Sequence, residues 1–155
     1  MATPRRPLDF RTFDAILADV DTLHSRTYTQ LGQWDLATIC NHLAKTMEVG
    51  LDRKPIPIPL TIRLLAPLLG KWIFRRTLHT RRMPTGIRAP LPFRPDSKCD
   101  PEPAIAHLKA TIARAQSFPG PLAKHPLFGQ MTPDQWRDLQ LIHCSHHLSF
   151  LLPKE

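Results

Sequence analysis

Apolar residues recur at helical spacing in four stretches of this chain. Phe10, Phe13, Ile16, Leu17, Val20 and Leu23 share one helical face, which predicts a first helix over residues 9–23 with Asp9 as N-cap. Residues 24–33 lack that period and read as a loop. Leu36, Ile39, Cys40, Leu43, Met47 and Leu51 form the second stripe, with Asp35 placed to cap it and Pro55 beyond its end. Residues 60–79 are less regular and predict a helix interrupted or begun at Pro67; residues 81–95 read as loop or extended chain. Asp100-Pro101 opens the next helix, with Ile105, Leu108, Ile112 and Ala115 on its buried face and Pro119-Gly120-Pro121 after it. The last start is the best marked: Thr132 caps, Pro133 follows, and Gln135 completes a capping box for a helix running to about Leu151. Four amphipathic helices without a convincing strand predict an all-α fold, a helical bundle formed by one domain over residues 1–155.

Composition sharpens this picture in three places. The length suits one domain with its own core. Three cysteines without paired spacing, and no signal peptide at the start, suit a reducing cytoplasm. The most apolar window, residues 56–74, carries Arg63, Lys71, Pro57, Pro59 and Pro67, which argues against a membrane span. The net charge of +8 is segregated: residues 53–94 hold ten Lys and Arg and no Asp or Glu, leaving 11 basic against 13 acidic residues elsewhere. That proline-rich basic segment reads as an insertion between the second and third of the four bundle helices. A solvated face is its preferred reading, with an anionic membrane or nucleic acid, through Arg75-Arg76, Arg81-Arg82, Trp72 and Phe74, as the weaker alternative. The apolar run at 56–74 is also a candidate homodimer surface.

The chemistry concentrates in His143-Cys144-Ser145-His146-His147. With His143 at zero on the helical wheel, Trp136 falls near +20°, Leu139 near −40° and His147 near +40°, so both histidines lie within the apolar stripe. Two imidazoles one turn apart on a buried face need partners, and a shared metal ion supplies one. His146 lies about 60° to the side and reads as a supporting or edge residue. A third ligand must come from elsewhere: His24, His42, His79, His107 and His125 are the candidates. Periodicity does not single out His42, which falls about 120° from the centre of its own apolar stripe. Cys40 and Cys144 read as small buried hydrophobes, and no Ser-His-Asp pattern, P-loop or dinucleotide fingerprint is present.

The H-x-x-H-H cluster, together with Trp34-Asp35-Leu36 and Asn41-His42-Leu43-Ala44, resembles the DinB-like superfamily. More narrowly, His125-Pro126-Leu127-Phe128-Gly129, Thr132, Trp136 and His147-Leu148-Ser149-Phe150-Leu151 look like a branch of it known only as a domain of unknown function. The likeness spans about residues 8–153. It implies an up-down-down-up four-helix bundle with one divalent metal, zinc or nickel, held by His42, His143 and His147. His125, His146 and Trp136 are then candidate site-lining residues. The final histidine is followed here by Leu148-Ser149-Phe150 rather than the Arg-Gly-Gln of characterised relatives, so no substrate class is carried over.

Three histidines leave an open coordination position, the mark of a catalytic or ligand-binding site. The expectation is a metal-dependent enzyme acting on a small molecule through metal-bound water or thiolate, as a hydrolase or a thiol transferase using a low-molecular-weight thiol. The alternative is a non-catalytic metal- or ligand-binding module, because acid–base partners are poorly marked.

Overall fold

In the computed structural model, Thr12 rather than Asp9 opens the first helix, α1 (Phe13–Ser25), accepting from the Ala15 amide at 3.2 Å. Asp9 is engaged elsewhere: Arg81 and Arg11 each donate to its carboxylate at 2.6 Å, and Arg81 also bonds the Phe10 carbonyl at 2.7 Å. These bonds hold residues 9 and 10 outside the helix. The structure describes residues 4–53, 60–84, 99–125 and 127–154, over 60–68 as backbone only.

The second helix, α2 (Leu36–Asp52), starts as the sequence predicts, with the Asp35 carboxylate accepting from Thr38 at 2.8 Å. Helix α3 (Leu60–Thr80) runs through Pro67 without a break. Part of the presumed insertion therefore belongs to the body of the protein: Phe74 and Thr77 are buried, α3 packs on the last helix, and Phe74 stacks on Phe128 at 5.3 Å. The expectation of loop or extended chain at 81–95 lies largely outside the described residues.

Helix α4 (Pro101–Gln116) begins at Asp100, whose side chain makes no capping bond. The reason is local. Pro101 and Pro103 occupy the first and third helical positions and carry no N–H, so the third-position amide that a cap normally bonds is missing. Helix α5 (Pro133–Leu148) shows the full capping box, Thr132 accepting from Gln135 N at 3.2 Å and Gln135 returning to Thr132 N at 3.0 Å. It ends before Leu151, which enters a strand.

Among the described residues the fold is mostly helical, as expected, with five helices, α3 being the one placed at 60–79, and one small sheet that the sequence did not show. Strand β1 (Tyr28–Gln30) pairs antiparallel with β2 (Leu151–Pro153), Thr29 opposite Leu152. Three-residue strands show no readable alternation; their pairing across the length of the chain defines them. Ile16, Val20 and Leu23 of α1, Ile39, Leu43 and Met47 of α2, Leu108 and Ile112 of α4, and Leu141 and Leu148 of α5 form one core. Helix α2 packs most extensively on α4 and also on α5. The N-terminal segment straps the end of α5: Arg6 binds Asp19 through two bonds of 2.6 and 2.8 Å and donates to the Leu148 carbonyl, while Ser145 Oγ accepts from Phe10 N at 2.9 Å. These contacts hold the histidine-bearing turn of α5 against the core.

Candidate metal centre

His42 and Thr46 stand one turn apart on α2, and His143 and His147 stand one turn apart on α5. The two helices bring these turns together. His143 Nε2 lies 3.3 Å from His42 Nε2 and 3.0 Å from His147 Nε2. The ring centroids are 4.7–5.1 Å apart with interplanar angles of 66–77°, so each ring presents an edge to the other two. One ligand atom from each histidine falls within 4.8 Å of the others; among the described residues this is the one such group of His, Cys, Asp or Glu.

His42 is 3% exposed, which corrects its placement at the boundary of α2. The wheel locates one stripe, from Leu36 to Leu51. Helix α2 packs on both α4 and α5, and along the edge of that stripe the buried His42, the half-buried Thr46 and the buried Gly50 form a row one turn apart. Its far end meets Trp136: an added Cβ at Gly50 would stand 2.5 Å from Trp136 Nε1. Trp136 therefore packs against Gly50, two turns along α5 from His143.

Thr46 stands beside His143. Its hydroxyl donates to the Leu43 carbonyl at 2.9 Å, which uses its single proton. Its oxygen also lies 3.5 Å from His143 Nδ1, so that bond requires the proton on Nδ1. A neutral imidazole protonated at Nδ1 has its lone pair on Nε2, the atom that faces the other two histidines. Trp34 closes one side, stacked on the His147 ring at 5.3 Å and 13° and tilted against His42 at 4.8 Å.

Burial pushes His143 well below the usual histidine range, with further opposition from charge on His147 and His42. Burial likewise lowers His147 to about 2. Neutral imidazole is the ligand form, so His143 and His147 need lose no proton to bind a metal. Nitrogens bound tetrahedrally at 2.0–2.1 Å lie about 3.3 Å apart, and those on an octahedral face about 2.9 Å. The observed 3.0 and 3.3 Å fall in that range, so the three histidines could hold a metal ion. His143 and His147 are only partly buried, so solvent reaches this end of the group.

The remaining candidates separate clearly. His24 meets Glu102 at 3.3 Å, His107 meets Glu48 at 2.5 Å, and His79 is exposed at the end of α3. Glu48 thus faces α4. His125 Nδ1 accepts from the amides of Leu127 and Phe128, both at 3.1 Å, and its ring stacks on Phe128 at 4.4 Å. Charge on His125 would be the smallest of the influences that oppose protonation of His143. His146 sets its ring at 90° to His147, 5.0 Å away, and also meets Phe150. Cys40 and Cys144 are buried, and burial raises both thiols, Cys40 to about 12. They are packing groups. Thr46 escaped the sequence reading, since its one-turn offset from His42 means something only once His42 is known to face inward.

The depressed histidines predict an acid-sensitive metal-free protein. Burial holds His125 and His146 near 4 and His147 near 2, against about 6.5 in the unfolded chain. Above pH 6.5 both states are neutral and these groups leave stability unchanged. Below it the unfolded chain binds more protons, so stability falls with pH, by up to about 1.4 kcal/mol per pH unit for each histidine, until the folded-state pKa is reached. Urea unfolding of metal-free protein at pH 7.5, 6 and 5 should show a plateau and then a decline; equal midpoints at all three would contradict the buried, neutral assignment.

No curated protein and no solved structure matches the chain. A family model does, that of the group described as Protein of unknown function (DUF1569), over residues 2–154. With nearly its whole length matched, the chain belongs to that family.

Proposed function

We propose that the chain is a divalent-metal-dependent enzyme of the DinB-like type acting on a small molecule, with His42, His143 and His147 as ligands to zinc or nickel. In this reading the helices form an up-down-down-up four-helix bundle elaborated by the basic segment that contains α3. The observation that carries the proposal is the convergence of three imidazole nitrogens at one partly solvent-accessible point.

A divalent ion there supplies Lewis acidity toward a water or thiol and needs no proton from the protein. The chain's own residues do the rest. Thr46 holds the His143 tautomer, Trp34 shields the His147 and His42 rings from water, and His146 flanks His147. Neither buried cysteine is suited to serve as a nucleophile, so thiol chemistry would use a low-molecular-weight thiol as substrate. Cys40 and Cys144 are buried thiols, in keeping with the cytoplasmic setting of this reading, and among the described residues no helix is long and apolar enough to cross a membrane.

A second reading, a non-catalytic metal- or ligand-binding module, is favoured by the groups that meet His143 and His147 among the described residues, Thr46, Trp34 and His146, none of them a carboxylate. Metal analysis of protein purified without a histidine tag, followed by hydrolase and thiol-transfer assays on loaded and chelated samples, separates the two. Stoichiometric metal with metal-dependent turnover is expected. Stoichiometric metal without turnover favours the module, and protein that takes up no zinc or nickel rejects both.

A further inference from the structure

The outer face of α3 has no place in the chemistry above. It is the largest apolar exposure among the described residues: Trp72 is 63% exposed and Leu69 55%. With Trp72 at zero on the wheel, Leu69 falls near +60°, Arg76 near +40°, His79 near −20°, Arg75 near −60° and Lys71 near −100°, all of them exposed. The buried Gly70, Phe74 and Thr77 fall near 140–200°, on the opposite side. The Arg76 guanidinium lies 6.0 Å from the Trp72 ring centre. Arg82 is exposed just beyond the helix, and none of Lys71, Arg75, Arg76 and Arg82 forms an ion pair among the described residues.

We propose that this face of α3 seats the protein on an anionic lipid surface, with Trp72 and Leu69 entering the headgroup boundary and Lys71, Arg75, Arg76 and Arg82 meeting the acidic headgroups. The choice of partner follows from charge and shape. A second copy would oppose this cationic face to itself across a two-fold axis. Nucleic acid would answer the charge but give Leu69 nothing to bury against, and Trp72 is a lone aromatic rather than one of a row of stacking platforms. An anionic bilayer satisfies both halves: amphipathic helices with Trp and Leu beside Lys and Arg lie in the interface plane. Over 53–94 the sequence offers no acidic residue to offset these four cations.

Co-sedimentation tests this with phosphatidylcholine vesicles containing none or about one third phosphatidylserine. Each cation near such a surface contributes about a fivefold factor in partitioning. Binding to the anionic vesicles alone is expected, falling steeply with salt, and roughly 30-fold weaker for Arg75→Ala with Arg76→Ala. The chain has three tryptophans, and Trp34 and Trp136 lie away from this face. A blue shift of tryptophan emission on vesicle addition should therefore vanish in Trp72→Phe. Equal binding to neutral vesicles, or none to anionic ones, overturns the proposal. So does a single-stranded oligonucleotide that binds through the same residues while vesicles do not, or a dimer in light scattering that Trp72→Ala dissociates. The wild-type vesicle comparison decides the matter even where a variant loses its helical signal.

Discussion

Protein carrying His143→Ala should emerge from an untagged purification without bound metal, whereas the wild type should carry close to one equivalent. In the proposed centre His143 is the middle ligand: its Nε2 is the atom within 3.3 Å of both other ring nitrogens, and removing it leaves only His42 and His147 to hold the ion. His147→Ala should behave the same way. Thr46→Val makes the finer point. It keeps the shape and removes only the oxygen facing His143 Nδ1, so metal should be retained but bound about 10–100-fold more weakly, the usual effect of losing a partner that orients a ligand. Thr46→Ser restores the oxygen and should restore affinity. Chelator competition monitored by elemental analysis reads all four proteins. Undiminished metal content in His143→Ala would remove the proposed centre altogether. A Thr46→Val affinity equal to wild type would leave the centre standing and discard the tautomer argument.

Gly50→Ala should destabilise the fold by about 1–3 kcal/mol, as overpacking a filled core does. On a free helix the same change favours folding by up to about 1 kcal/mol. The sign reverses because the new Cβ would stand 2.5 Å from Trp136 Nε1, and Trp136 is itself buried. The conflict resolves by separating α2 from α5 along the line that runs from Gly50 through Thr46 to His42. Metal affinity should therefore fall together with stability, although Gly50 lies two turns from the nearest ligand. Urea denaturation and chelator titration check the pair of effects. A stabilised Gly50→Ala, or a destabilised one with metal affinity intact, would mean that α2 and α5 are not tightly coupled there.

Much of the helical framework is written in local chemistry. Thr132, Pro133 and Gln135 announce α5, Asp35 announces α2, and both starts fall where local rules put them. The inward turn of His143 and His147 is equally legible, because apolar residues on the same face leave that stripe nowhere else to go. Local rules fail where another part of the chain intervenes. Arg81 draws Asp9 away from the helix it might have capped. Pro103 withholds the amide that Asp100 would have bonded, a detail present in the sequence but hidden behind the more familiar Asp-Pro signal.

By itself the sequence determined the caps, the periodic faces and the histidine pair on α5, since each depends on residues within a turn or two of one another. It also determined the segregation of positive charge that marks α3. Only the tertiary structure decided that the buried arc of α2 reaches His42, that the half-buried Thr46 follows one turn on, and that β1 and β2 meet across the length of the chain. Helical periodicity registers the apolar stripe and is silent about the neighbour that covers its polar edge. An edge carrying His and Thr looks solvated until a second helix with matching imidazoles is laid against it.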